Sequence, residues 1–502
     1  MMRAGPVANA TASTRSAARF RPTALTRTFG ALLGSQIAGR LIRFVYLLVL
    51  ARQLEPSGLG IYLYGTAVYV GLMGFAGFGQ GVFLAERLPR RTAGAGIWFA
   101  HSLTIRLGAT VLAGLAGLAY AMIWESDPAI RAVVLVFIVA LLIRSFVQWV
   151  RESHVALEDA GWIPRYEALF RLLEASIGVL LVLAGADVLW LAALHAAIWG
   201  AEAVASAALV VRRGRWRPRL GRRWRLLAPM TKSSLWFLGS TGGLLVFAQA
   251  PLMTLGLLGL PAAELGRFGI AAQAYFATLL VPSTLAMALV PAVSRVHRRA
   301  DKADLQAVGT LIRWTLAAGT LIAIIAAAAA PWAFRTLLGS SYASSAAYFT
   351  VLAWAVGANA AAIIIVQALN ALGAKKSAAA TAVFMLLVQF AVATTLFLNG
   401  QGGGAASAGV LAGAVAGYAA GVWRLRGLVP IGDQLQWWLP LLLLLCAAVI
   451  MLASPFDTAA TGVVCVVLLG LAYRVTRLMT REDLQYLVGR FSPAKQSTPT
   501  AS

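Results

Sequence analysis

The sequence predicts an all-α integral membrane protein of about 14 transmembrane helices. Composition is the first reason: 60% of the 502 residues are hydrophobic and only 12% are charged, with a mean hydropathy of +0.79. An ordinary soluble domain does not reach these values. Apolar segments of about 20 residues recur along the chain, each long enough to cross a hydrocarbon core of ~30 Å. Lys and Arg are concentrated in alternate connections, the pattern the positive-inside rule gives to a chain that crosses repeatedly.

The first segment, Gly30 to Arg52, holds about 23 residues and spans roughly 34 Å as a helix. Arg40 and Arg43 fall near its middle. Starting the span after Arg43 would leave about 12 Å of helix, too short to cross, so both arginines belong to the membrane. Three residues apart, they share a face, and such charges face a bundle interior or a watered cavity. Two guanidinium groups at that depth point to an anionic passenger. The turn QLEPSGLG follows, then span two (Gly60 to Leu84), whose GFAGFGQG end permits close helix packing. Span three (Gly96 to Trp124) carries His101 and Arg106, and span four (Ile130 to Val150) carries Arg144. RESHVALEDAGWIPR reads as the connection to span five (Tyr166 to Leu183), and GAD joins that to span six (Leu189 to Val211).

The most basic stretch, RRGRWRPRLGRRWR, divides the chain near its middle and reads as a cytoplasmic linker against anionic lipid. Beyond it the scheme repeats. Span seven runs from Ser234 to Leu257, eight from Phe268 to Val290, nine from Leu311 to Leu337 and ten from Ala347 to Leu369. Spans eleven to fourteen cover Ala378 to Leu398, Ala408 to Trp423, Trp438 to Leu452 and Ala459 to Tyr473. The basic loops place both termini in the cytoplasm. Leu59-Gly60-Ile61-Tyr62 and Leu265-Gly266-Arg267-Phe268, each after a Pro-containing turn, form a short repeat. Two parallel six-helix halves related by an axis along the membrane normal would produce it. The expected organisation is a disordered tail at 1–28 and two six-helix lobes at 29–211 and 231–424, joined by the linker 212–230. Two additional helices in 425–478 and a cytoplasmic tail at 479–502 complete it.

The net charge of +24 is scattered over short loops, which excludes nucleic acid as a partner and leaves membrane lipids as the basic residues' neighbours. Cys446 and Cys465 fall inside late spans and read as small buried hydrophobes. Four histidines without an HExxH or paired-His spacing give no metal site, and no cofactor is expected. No outer loop exceeds about a dozen residues and no nucleophile–base constellation is visible, so an enzyme is not the reading.

ARQLEPSGLGIY, the proline-paired LVPSTLAMALVPAVSR, LLGSSY and QALNALGAKKSAAA occur in an order that resembles the bacterial polysaccharide flippases. These form the Wzx-like branch of the multidrug/oligosaccharidyl-lipid/polysaccharide superfamily. The resemblance covers Thr26 to Trp423; the long N-terminal tail and high Ala content depart from the commonest pattern and leave the substrate's identity open. It implies two six-helix lobes around a central cavity, with two extra C-terminal helices, in the bacterial cytoplasmic (inner) membrane. It also implies translocation of an undecaprenyl-diphosphate-linked oligosaccharide by alternating access, without covalent chemistry, in the company of a glycan polymerase and glycosyltransferases.

On that reading Arg40, Arg43 and Arg106 are the expected diphosphate contacts, since arginine forks bind phosphate with paired hydrogen bonds. Gln36, Gln80, Gln249 and Gln273 are expected to line the cavity and meet sugar hydroxyls. Pro282 and Pro291 can bend span eight. Glu202 has no same-helix basic partner within a turn. It either couples transport to H⁺ or Na⁺ or pairs with an arginine of a neighbouring helix, Arg106 being one candidate. Glu167, Arg171 and Glu174 stand where they can pair along one face, while Arg144 and Arg313 are expected to snorkel toward the headgroups. A cation-coupled drug or metabolite antiporter of the same superfamily would call for acidic residues, and the first three spans contain none. A peptidoglycan-precursor flippase stays open, because its passenger also carries a diphosphate.

Overall fold

The structure, a computed structural model, describes residues 39, 41–87, 95–157, 161–213, 218–279, 302–429, 435–453 and 458–476. These form helices joined by short turns. In the first half they are α1 (residues 41–53), α2 (Glu55–Gly77), α3 (Gln80–Arg87), α4 (Ala95–Ile123), α5 (Pro128–Ala156), α6 (Ile163–Leu183) and α7 (Val188–Arg213). In the second half they are α8 (Trp224–Phe237), α9 (Gly243–Leu257), α10 (Ala262–Thr278), α11 (Lys302–Leu338), α12 (Ser345–Ala371), α13 (Lys375–Leu398) and α14 (Gly404–Leu425). Two more, α15 (Leu435–Ala453) and α16 (Thr458–Thr476), close the chain.

Ten helical stretches among the described residues are long and apolar enough to cross a membrane, with α2–α3 and α8–α9 each acting as one stretch. Helices α1, α6, α10 and α16 fall outside that group for local reasons. The described parts of α1 and α10 are short, α16 is apolar only over Ala460–Arg474, and α6 carries Glu167, Arg171 and Glu174. With these four the bundle agrees with the expected fourteen.

Helix α5 shows how local sequence sets an element. Asp127 caps it, its carboxylate accepting from the Ala129 and Ile130 amides at 2.8 and 3.3 Å, and Pro128 occupies the first turn, where no donor is missed. The helix then runs to Ala156, six residues past the predicted end of span four. Arg151, Glu152 and His154, read from the sequence as part of a loop, are therefore helical. The second half of the predicted basic linker is also structured: α8 begins at Trp224, and the Gly221 amide donates to the Ala100 carbonyl of α4 at 3.0 Å.

Helices α2, α4, α5 and α7 pack as one lobe with α6 on its flank; α9 to α14 form the other; α15 and α16 lie against α11. The lobes meet along α2, which contacts α9 and α10. Where α2 and α10 begin, Gly60 and Gly266 face each other so closely that a Cβ on Gly60 would lie 1.8 Å from the Ala262 carbonyl oxygen. The sequence repeat is thus an inter-lobe contact. At the same end the Tyr342 hydroxyl donates to the Ala51 carbonyl at 3.0 Å. Burial pushes that phenol up, which keeps it a donor at physiological pH. At the opposite end two irregular segments meet. Phe78 and Gly79 adopt left-handed backbone between α2 and α3, and a π-helical turn, Leu238–Gly242, links α8 to α9. Gly79 allows this approach, since a Cβ there would sit 2.5 Å from the Phe237 Cβ. Gln80 donates to the Ser234 hydroxyl at 2.9 Å, and Lys375 pairs with Glu86 at 2.5 Å. The lobes are therefore in contact at both ends.

Cys446 is exposed, not buried as expected, whereas Cys465 is buried.

Candidate functional site

Between these contacts lies a central cavity of about 500 Å³, walled by α1, α2 and α5 on one side and α9, α10 and α12 on the other. Its polar lining is Arg43, Arg144, Gln249, Gln273 and Asn359. Asn359 is buried, and its amide nitrogen donates to the Tyr275 hydroxyl at 2.6 Å. Its Oδ1 has no hydrogen-bond partner among the described residues, which leaves an acceptor available to a hydroxyl donor. No carboxylate lines the cavity among the described residues. An apolar pocket of about 270 Å³ adjoins it, sharing Phe44 and Ala277 and lined otherwise by residues such as Ile270, Phe334 and Phe349.

A second cavity of about 720 Å³ lies toward the Gly79 end, between the lobes. Gln80 and Arg106 line it, with Gln148 and Glu152. Arg106 is 1% exposed and its charge is already met: Nη1 donates to Glu152 Oε2 at 2.5 Å and Nε to Ser145 Oγ at 3.2 Å.

The expected site residues are thus divided. Arg43, Gln249 and Gln273 reach the central cavity, Gln80 and Arg106 the second. Gln36, Arg40, Pro282 and Pro291 lie outside the described residues. Arg144, expected to snorkel, instead lines both cavities. Its guanidinium donates to the Tyr69 hydroxyl at 2.9 Å and stacks 4.8 Å from the Trp199 ring centre. Arg313, by contrast, reaches Gln436 and the Thr310 hydroxyl.

Glu202 lines neither cavity. It is buried, paired with Arg151 and, at 3.2 Å, with Arg171. The neighbouring-helix arginines are therefore these two and not Arg106. Arg171 also pairs with Glu174, while Glu167 turns to Arg151 at 3.5 Å, so only half of the expected run along α6 forms. Glu174 in turn meets His195 Nδ1 at 2.5 Å. Charges at this depth persist when paired or when they face a watered cavity, and Glu202 faces neither of the two cavities. We expect Glu202→Gln to destabilise the protein by about 3 kcal/mol, because it leaves the buried Arg151 and the half-buried Arg171 short of an acceptor. A thermal unfolding midpoint in detergent close to that of wild type would contradict this and return Glu202 to the coupling role.

A family model described as "polysaccharide biosynthesis protein" matches residues 25–297. Among solved structures, the lipid II flippase MurJ in an inward closed conformation superposes with a TM-score of 0.63 at 12% identity, covering 90% of this chain and 99% of that one. An inward-facing multidrug resistance MATE family transporter of the MOP superfamily gives 0.58 at 13% identity, over 79% and 98% of the two chains. The eukaryotic MATE transporter AtDTX14 gives 0.55 at 13% identity, over 81% and 96%. At these identities the likeness is one of fold. No curated protein matches the chain.

Proposed function

Because the chain belongs to the polysaccharide biosynthesis protein family, we propose that it carries an undecaprenyl-diphosphate-linked oligosaccharide across the bacterial inner membrane. The family match and the multi-span fold support a transporter of the flippase kind; the passenger is a further part of the proposal. The observation that carries the proposal is the lining of the central cavity. Two arginines from one lobe face amide side chains from the other, with no carboxylate among the described lining residues. Arginine forks suit a diphosphate, amides suit sugar hydroxyls, and the adjoining apolar pocket suits a polyprenyl chain. An organic cation would find no counter-charge among the described lining residues. The basic loops favour cytoplasmic termini; in the proposed cycle the passenger enters from the cytoplasmic leaflet and leaves to the outer one by alternating access.

Proteoliposomes loaded with a labelled undecaprenyl-diphosphate oligosaccharide test this. Wild type is expected to expose the label on the opposite leaflet well above protein-free vesicles, and Arg40→Ala or Arg43→Ala to slow it. A peptidoglycan precursor offered in parallel separates the two diphosphate passengers. Flux of soluble organic cations, with none of either lipid, would overturn the proposal.

A further inference from the structure

The buried charges of the first lobe contain one group that the proposed transport step does not use. His195 on α7 is 4% exposed, and its two ring nitrogens are both engaged. Trp199 Nε1 donates to His195 Nε2 at 3.0 Å. An indole N–H can only donate, so Nε2 must present its lone pair. The ring hydrogen is then on Nδ1, which donates to Glu174 Oε1 at 2.5 Å. His195 is therefore neutral in this conformation, and a proton on Nε2 would set two N–H donors against each other.

Every element around His195 brings charged or titratable groups to it. Helix α6 supplies Glu174 and Arg171; α5 supplies Arg144 and Arg151, the latter through Trp199. Helix α2 supplies Tyr69 and Tyr62, and α1 supplies Arg43 and Tyr46. Glu202, on the same helix, joins through Arg171. Two of these contacts matter most. Arg144 is held by the Tyr69 hydroxyl and by the Trp199 ring, and both of those side chains also touch His195. Trp199 does so by its hydrogen bond, and Tyr69 by an edge-on ring contact at 5.3 Å. A small pocket of about 30 Å³, walled by Arg43, Tyr46, Tyr62, Glu174 and His195, shares Arg43 and Leu47 with the central cavity. That volume admits about one water, which would stand between Arg43 at the cavity wall and the His195 ring.

We propose that His195 is a proton-binding site, and that its protonation expels the Trp199 indole and so repositions Arg144 at both cavities. The proton goes onto Nε2; the Trp199 N–H leaves, and the indole face under Arg144 and Arg171 shifts with it. The last link, from Arg144 to a passenger, rests on the proposed function. The proton site itself does not.

Fluorine NMR of the full-length protein labelled with 5-fluorotryptophan, in detergent micelles and without any passenger, tests the site. One of the fifteen tryptophan signals, assigned by its loss in Trp199→Phe, should shift as the pH falls from about 7 to 4. In His195→Gln, whose amide oxygen still accepts from Trp199, that shift should be lost while the other signals stay in place. A Trp199 signal that does not move in wild type, or that titrates identically in His195→Gln, overturns the proposal. The wild-type titration decides the matter even if the Gln variant folds poorly. In proteoliposomes the pH dependence of flux should vanish with His195→Gln. Absence of any lipid-linked flux would instead count against the proposed passenger, with the fluorine titration unaffected.

Discussion

Arg144→Ala is expected to cut translocation about 10- to 100-fold, the largest loss of any single cavity substitution. Arg144 lines both inter-lobe cavities, so a diphosphate passing from one to the other stays within its reach. A hydrogen bond to a charged group contributes about 1.5–3 kcal/mol, which sets the size of the loss. Among the described residues no carboxylate pairs with Arg144; its partners are the Tyr69 hydroxyl and the Trp199 ring. Removing it strands no buried carboxylate, so folding should change little while transport falls. That separates it from Glu202, whose loss acts on stability. Arg144→Lys keeps the charge but loses the planar fork and the stacking on the indole, and should fall between wild type and Ala. Flux within about twofold of wild type in Arg144→Ala, with the protein intact, would remove Arg144 from the passenger's path.

How much of this was legible in the sequence depends on what each feature needs. Spans and their order follow from hydropathy and loop charge, and most observed helices begin and end within a few residues of the expected positions. The error at α5 had a consequence. Hydropathy ended the span at Val150 because Arg151, Glu152 and His154 are polar, yet Arg151 has partners waiting on α6 and α7 and Glu152 one on α4. With the helix running to Ala156, Arg144 lies twelve residues from its end, roughly 18 Å, too deep to snorkel. The pairings of Arg106 and Glu202 were undecidable for a different reason: they depend on which helices are neighbours, which no single-helix spacing records. His195 is marked only weakly in the sequence. His195, Trp199 and Glu202 stand at i, i+4 and i+7, one polar stripe on an otherwise apolar α7.

The short repeat led somewhere the hydropathy could not. Gly60 and Gly266, equivalent positions in the two halves, close the lobes against each other where α2 and α10 begin. We expect Gly60→Ala to open that end. Its Cβ would meet the Ala262 carbonyl oxygen at 1.8 Å and the Gly266 nitrogen at 2.8 Å, and backbone atoms on a neighbouring helix cannot swing aside as a side chain can. Overpacking of this kind costs about 1–3 kcal/mol, but it is felt only while the lobes are in contact. The state open at this end escapes the clash, so the equilibrium should move toward it by roughly 5- to 150-fold. The readout is a cysteine placed in the cavity by Gln273→Cys, with Cys446 and Cys465 replaced by Ser. An impermeant maleimide added from the side of the α2 start should label it faster by that factor when Gly60→Ala is present, and flux should fall because the return step is blocked. Gly108→Ala serves as the control, since a Cβ there meets nothing within 4 Å. Unchanged labelling in Gly60→Ala, at wild-type flux, would mean that the glycine pair is packing within a fixed bundle and that the gate lies elsewhere.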